Sequence, residues 1–192
     1  MVARQTQEIE YRNGDDAFRV VLTSNSPDIF SQAAKQQEIK DKEGEALVAA
    51  LLSYAKGAVF RVERYKDGKL NDRPGGGHAV QEFNDSGALI AASRYRDGKR
   101  QDAANGEPAF QKFNDDGIRT YLVHYKDDKR HDGPNGEPAE QVSDPSGNFV
   151  FIARYRDDNQ IKVFTPQEMA EFQAKNAPAA PKTRKEPKSP GR

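Results

Sequence analysis

The sequence predicts a mainly β protein: an antiparallel meander of 30-residue β-hairpin repeats, with an N-terminal helical insertion and a short C-terminal capping helix. A tyrosine followed by Lys or Arg and then Asp recurs every thirty residues, at Tyr65, Tyr95, Tyr125 and Tyr155. Short apolar segments and Gly-, Asn- and Pro-rich turns alternate between these markers. Only 35% of the residues are apolar and 31% are charged, which is typical of a repeat architecture with a thin core.

Other residue types keep the same register as the tyrosine marker, so we interpret the whole interval as one structural unit. The segment Tyr11-Arg12-Asn13-Gly14 resembles a further copy of the marker, separated from the others by an insertion. The residues that recur are Asp72, Asp102 and Asp132; Gly76, Gly106 and Gly136; Ala79, Ala109 and Ala139; Gln81, Gln111 and Gln141; and Gly87, Gly117 and Gly147.

Each unit is predicted to be a β-hairpin. Residues 109–113 read as a short strand, 114–117 (Asn-Asp-Asp-Gly) as a turn, and 118–125 as the returning strand. The segments 99–108 and 129–138 are rich in Gly, Asn, Asp and Pro, and we expect them to be loops that join one hairpin to the next. Because consecutive strands usually pair, the units should form one antiparallel sheet.

Apolar side chains fall on both sides of the predicted strands, so at least one face of the sheet requires a cover. Two helices predicted in the insertion, at about 27–37 and 42–56, have apolar sides that could supply it. In the last unit, strict alternation places Phe149, Phe151, Ala153 and Tyr155 on one face and Val150, Ile152 and Arg154 on the other.

After the repeats, Thr165-Pro166-Gln167-Glu168 has the form of a capping box and predicts a short helix that caps the end of the sheet. The remaining residues are rich in Pro, Lys and Arg and are predicted to be disordered. The predicted organisation is therefore N-terminal strands at 1–23, a helical insertion at 24–58, β-hairpin repeats at 59–164, a helix at 165–176 and a disordered basic tail at 177–192.

Composition limits the classes of partner and compartment. Thirty basic and thirty acidic residues give a net charge of zero, so there is no overall attraction to nucleic acid or to an anionic membrane. The chain has no cysteine, no apolar leader at its N-terminus and no apolar stretch of membrane-spanning length. We therefore expect a cytoplasmic protein that does not bind membranes.

The sequence predicts no catalytic residue, no metal site and no cofactor. The three histidines, His78, His124 and His131, lack the spacing of metal ligands, and His124 occupies the register position of an arginine in the other units. The acidic loop at 127–137 does not match the spacing of a calcium loop. There is also no phosphate-binding glycine motif and no nucleophile elbow.

The tyrosine row is the candidate binding site. Stacked units would align the tyrosines in a file, with arginines on the opposite face and further basic residues beside them, and both residue types are common at interaction hot spots. The alternative is an internal tyrosine ladder that covers the sheet, with Asp67, Asp97, Asp127 and Asp157 offsetting the basic residues. The candidate binding residues are Tyr65, Tyr95, Tyr125, Tyr155, Arg64, Arg94 and Arg154, and the further basic residues are Lys66, Arg96, Lys126 and Arg156.

The segments Tyr65-Lys66-Asp67-Gly68-Lys69 and Phe83-Asn84-Asp85-Ser86-Gly87, with their copies at 95–99 and 113–117, resemble the MORN-like repeats of the bacterial YwqK-type antitoxin family. The resemblance covers about residues 59–164 and implies repeated β-hairpins that bind another protein, such as a toxin. The unit is longer than the usual MORN period, and Asp128 and Asp158 replace a glycine of the pattern.

These observations favour a non-enzymatic protein-binding module of the antitoxin, immunity or inhibitor type. Two alternatives remain open at this stage. One is a nucleic-acid-associated factor that uses the basic tail at 177–192. The other is a carbohydrate-binding or enzymatic protein that uses the tyrosine row.

Overall fold

A computed structural model describes residues 5–13, 15–24, 58–73 and 76–176. This part of the chain is mainly β, with antiparallel strands and one C-terminal helix, which confirms the predicted class. The strands are β1 (Gln5–Asn13), β2 (Asp16–Ser24), β3 (Val59–Lys66), β4 (Lys69–Leu70), β5 (Val80–Phe83), β6 (Leu89–Ser93), β7 (Tyr95–Arg96), β8 (Lys99–Arg100), β9 (Phe110–Phe113), β10 (Arg119–Val123), β11 (Tyr125–Lys126), β12 (Lys129–Arg130), β13 (Glu140–Ser143), β14 (Phe149–Arg156) and β15 (Asn159–Val163), and the helix is α1 (Pro166–Asn176).

Eleven strands of the described residues form one antiparallel sheet, in the order β1-β2-β3-β5-β6-β9-β10-β13-β14-β15, with β4 paired to β3. The short strands β7–β8 and β11–β12 form two separate ribbons. Strand β2 pairs directly with β3, although residues 25–58 separate the two strands in the sequence. The insertion helices at 27–37 and 42–56 and the tail at 177–192 lie outside the described residues.

The turn between the two longer strands of a unit has the predicted chemistry. Gly117 has a φ of +76°, a value that a side chain disfavours. The Asn114 Oδ1 accepts the backbone N–H of Ile118 at 2.8 Å, and its Nδ2 donates to the Pro145 carbonyl of the next turn at 3.1 Å. The asparagine therefore closes its own turn and links it to the following unit.

The tyrosine marker forms a small hairpin of its own, which was not predicted from the sequence. The predicted returning strand at 118–125 ends at Val123, because Tyr125 and Lys126 pair instead with Arg130 and Lys129. The turn between them holds two residues with positive φ, as a two-residue hairpin of this type requires. These residues are Asp127 (φ 51°) and Asp128 (φ 67°).

One face assignment was wrong. The register between β13 and β14 shifts by one residue after Val142. Val142 pairs with Phe151, but Ser143 pairs with Phe149. An extra residue in one strand reverses the alternation beyond it, so Phe149 lies on the face of Ile152 rather than with Phe151.

Helix α1 begins at the predicted capping box: the Thr165 N–H donates to Glu168 Oε2 at 2.9 Å, and the Glu168 N–H donates to Thr165 Oγ1 at 3.3 Å. The helix packs on a face of the sheet, where the ring of Phe172 lies 5.4 Å from that of Phe149. Strand β15 pairs only with β14 among the described residues, and its Ile161 is 57% exposed. No helix among the described residues has the length and apolar character that a bilayer span requires.

Side chains on both faces of the sheet are buried. We call the face that carries Tyr65, Tyr95, Tyr125 and Tyr155 the tyrosine face, and the other the opposite face. On the opposite face, Phe60 stacks on Phe83 with ring centroids 4.5 Å apart. The other large buried side chains of that face include Val20, Leu22, Val62, Leu122 and Ile152, and those of the tyrosine face include Val80, Val123 and Tyr155.

Candidate functional site

One aspartate in each unit joins that unit to the next. Asp102 Oδ1 accepts the backbone N–H groups of Ala109 at 2.8 Å and Tyr125 at 2.9 Å, and Asp102 Oδ2 lies 2.7 Å from His124 Nδ1. The backbone N–H of Asp102 donates in turn to the Tyr125 carbonyl at 2.9 Å. Asp72 and Asp132 make the equivalent backbone contacts. These aspartates fix the backbone of each following tyrosine.

Arg64 and Arg94, predicted as binding residues, lie on the opposite face and are only 4% and 3% exposed. Arg94 Nη1 lies 3.2 Å from Asp72 Oδ2 and donates to the Gly76 carbonyl at 2.8 Å, and its Nη2 pairs with Glu107. Arg64 donates to backbone carbonyls and to Asp16. The terminal Nη groups of both arginines are therefore engaged within the fold.

The same register position holds His124 and Arg154 in the later units. Arg154 is half-buried, with its Nη1 2.5 Å from Asp132 Oδ2 and its Nη2 donating to the Gly136 carbonyl at 3.0 Å. The structure therefore places all four residues of this position away from the tyrosines and against the aspartates.

The three histidines have different surroundings. His124 pairs with Asp102, His131 Nδ1 lies 3.6 Å from Asp157 Oδ1, and His78 is half-buried. Burial, followed by the charge of Arg94, lowers the pKa of His78. Within the described residues no three His, Asp or Glu side chains are grouped so that they could hold a metal ion.

Arginines lie between the tyrosines on the tyrosine face. The guanidinium carbon of Arg100 is 5.8 Å from the ring centroid of Tyr95 and 5.4 Å from that of Tyr125. The guanidinium carbon of Arg130 lies 4.1 Å from the Tyr155 ring centroid. We call Tyr95, Arg100, Tyr125, Arg130 and Tyr155 the tyrosine–arginine file. Cation–π attraction between these groups favours this arrangement of the rings.

Arg100 and Arg130 were not predicted from the sequence as binding residues. They are thirty residues apart, at the end of the small hairpin that follows each tyrosine marker. The same position holds Leu70 and Gln160 in the first and last units, so only two units can build the cation–π contact. The register of the repeat was the signal that could have found them.

The four tyrosines differ in environment. The Tyr65 hydroxyl donates to the buried Glu63 carboxylate at 2.7 Å, and burial together with Glu63 raises the pKa of Tyr65 to about 12. Tyr155 is 6% exposed. Tyr95 and Tyr125 are half-buried, and among the described residues neither hydroxyl has a hydrogen-bond partner. These two present the most accessible aromatic surface of the file.

Two open grooves lie beside the small hairpins, one unit apart. Their cavity volumes are about 400 Å³ and about 610 Å³, and Arg96, Gln101 and Asp102 line both. The basic residues that follow the tyrosines are exposed, and none forms an ion pair with the described residues. Direct pairing with the neighbouring aspartates therefore does not occur in this part of the chain. These basic residues are Lys66, Arg96, Lys126 and Arg156.

No family model matches the chain, and no curated protein or solved structure matches it. The resemblance to MORN-like repeats therefore stays a prediction.

Proposed function

We propose that this protein is a non-enzymatic protein-binding module, of the antitoxin, immunity or inhibitor type, that binds a partner protein with its tyrosine face. The tyrosine–arginine file is the observation that carries the proposal. Tyrosine and arginine are enriched at binding hot spots, because both offer large contact area together with hydrogen bonding.

The contacts within the file favour this function, because they restrict its side chains in the absence of a partner. Arg100 contacts both Tyr95 and Tyr125, and the Asp102 carboxylate holds the Tyr125 backbone. Side chains that are already fixed lose less conformational entropy on association. We infer that the 30-residue hairpin unit is the repeat that builds this surface, as in other solenoid-like binding proteins.

The carboxylates of the grooves argue for binding rather than for catalysis. Asp72, Asp102 and Asp132 are the acidic groups shared between the grooves and the aspartate network. Each accepts two backbone N–H groups and contacts an arginine or histidine side chain. A general acid or base needs a carboxyl group that can reach substrate and exchange a proton, and these are committed to the fold.

Affinity capture with the immobilised full chain, followed by mass spectrometry, tests the proposal. We expect a specific protein that wild type retains and that the double variant Tyr95→Ala/Tyr125→Ala loses. The matched control is Ile161→Ala/Val163→Ala on the open edge strand, which should still capture it. Retention by the tyrosine variant, with its thermal unfolding unchanged, would contradict the assignment of the binding surface.

A deletion of residues 177–192 separates this function from nucleic-acid binding. The protein-binding proposal predicts that the deleted chain captures the same partner in the presence of nuclease. Capture that requires both the tail and intact nucleic acid would instead identify a nucleic-acid-associated factor.

A further inference from the structure

Arg100 and Arg130 occupy the same position in successive units but differ in their ionic partners. Arg130 Nη1 lies 3.3 Å from Glu140 Oε2, and its Nε lies 3.4 Å from Asp158 Oδ1. Arg100 contacts no carboxylate among the described residues, and its buried Nε has no hydrogen-bond acceptor there. A buried donor without an acceptor is costly, whereas a hydrogen bond between charged groups is favourable.

The sequence explains why Arg100 differs. Phe110 stands at the position that Glu140 holds thirty residues later. Asp128, the counterpart of Asp158, accepts the backbone N–H of Arg100 at 2.7 Å without pairing with its guanidinium group. Of the two carboxylates that pair with Arg130, the first therefore has a phenyl ring as its counterpart beside Arg100. The counterpart of the second accepts a backbone N–H instead.

The surroundings of Arg100 favour an incoming acidic group. Lys112 is exposed, lies over the Phe110 ring at 5.8 Å, and forms no ion pair with the described residues. Tyr95 and Tyr125 both lie within cation–π distance of the Arg100 guanidinium, whose N–H groups form no side-chain hydrogen bond or ion pair with the described residues. Arginine held in this way binds carboxylates through two parallel N–H bonds.

We propose that Arg100 binds the side-chain carboxylate of an aspartate or glutamate on the partner protein, with Tyr95, Tyr125 and Phe110 contacting the apolar groups around it. This inference rests on the proposed function and specifies the chemistry of the partner: an acidic residue within an apolar segment. Lys112 adds a second positive charge to the same patch.

Small carboxylates test the site without knowledge of the partner. The arginine Nε–H signals of the ¹⁵N-labelled full chain are recorded while N-acetylglutamate is added at constant ionic strength, with N-acetylglutamine as the uncharged control. We expect a saturable shift of the Arg100 signal, assigned from Arg100→Lys, and none at the exposed Arg96 or the paired Arg130. A missing Arg100 shift, or one that Arg96 matches, would overturn the proposal.

The captured partner supplies a second test that separates this inference from the proposed function. Arg100→Gln should weaken partner binding by about 10- to 100-fold, as expected for loss of a charge-assisted hydrogen bond. Lys175→Gln, which removes one positive charge from the exposed end of α1 on the opposite face, should leave the affinity within about threefold. Undiminished binding by Arg100→Gln, together with loss in the tyrosine double variant, would reject the carboxylate site and leave the protein-binding function standing.

Discussion

Asp102→Ala should strongly destabilise the fold. The Asp102 side chain is only 10% exposed and accepts two backbone N–H groups, one of them from the fully buried Ala109. Each buried donor left without an acceptor costs about 1–3 kcal/mol, so the two together cost about 2–6 kcal/mol. That is a large part of the about 5–15 kcal/mol by which a domain is normally stable.

Asp102→Asn is the matched control, because its amide oxygen can still accept from Ala109 and Tyr125. We expect it to cost less than half as much as the alanine variant. The chain has no tryptophan, so urea unfolding is followed by far-ultraviolet circular dichroism. Hydrogen exchange should accelerate at the Ala109 and Tyr125 amides in Asp102→Ala alone. Equal losses in both variants would show that the contact with His124, rather than the backbone bonds, carries the stability.

Three further predictions concern other parts of the fold. Burial raises the pKa of Glu63, but the Tyr65 hydrogen bond and nearby arginines outweigh it and hold that pKa below its ordinary 4.5. The ionised Glu63 therefore contributes stability that is present above pH 4.5 and lost as pH falls through the folded-state pKa. Glu63→Gln should accordingly flatten the acid side of a plot of urea midpoint against pH. Asn114→Ala, which removes two turn hydrogen bonds, should cost about 1 kcal/mol in urea unfolding, and no loss would contradict the link between turns. Phe172→Ala should cost about 2 kcal/mol and speed hydrogen exchange throughout α1, whereas unchanged exchange would refute its packing on the sheet.

The antiparallel β class and the C-terminal helix could be predicted because the local signals agree with one another. Gly117 and Asn114 mark a turn by their own backbone preferences, and Thr165 and Glu168 mark a helix start by hydrogen bonds within four residues. Such signals depend on neighbours in sequence. The turn and the helix start can therefore be predicted without knowledge of the tertiary packing.

The remaining features depend on contacts between units. The extra residue that moves Phe149 to the opposite face is visible only in the pairing of β13 with β14. The small hairpin at Tyr125 was overlooked because an Asp-Asp pair is a weaker signal for a two-residue turn than Asp-Gly.

In the candidate site, too, the features set by local sequence could be predicted and those set by contacts between units could not. The thirty-residue spacing located the tyrosines, and alternation placed Arg94 on the other face from Tyr95. It did not show that Arg94 is enclosed by Asp72, Gly76 and Glu107, because these partners come from two different loops. Nor did it show Arg100 between two rings, since that contact joins residues from successive hairpins.

The central claim, that the tyrosine face binds the partner, is tested most directly by hydroxyl-radical footprinting of the full chain alone and with the captured protein. Tyrosine rings report their own solvent exposure in this measurement. If the partner covers the tyrosine face, oxidation of Tyr95 and Tyr125 falls severalfold in the complex, while that of Ile161 and Phe172 is unchanged. Equal oxidation of Tyr95 and Tyr125 in the free and bound chain, with protection elsewhere, would contradict it.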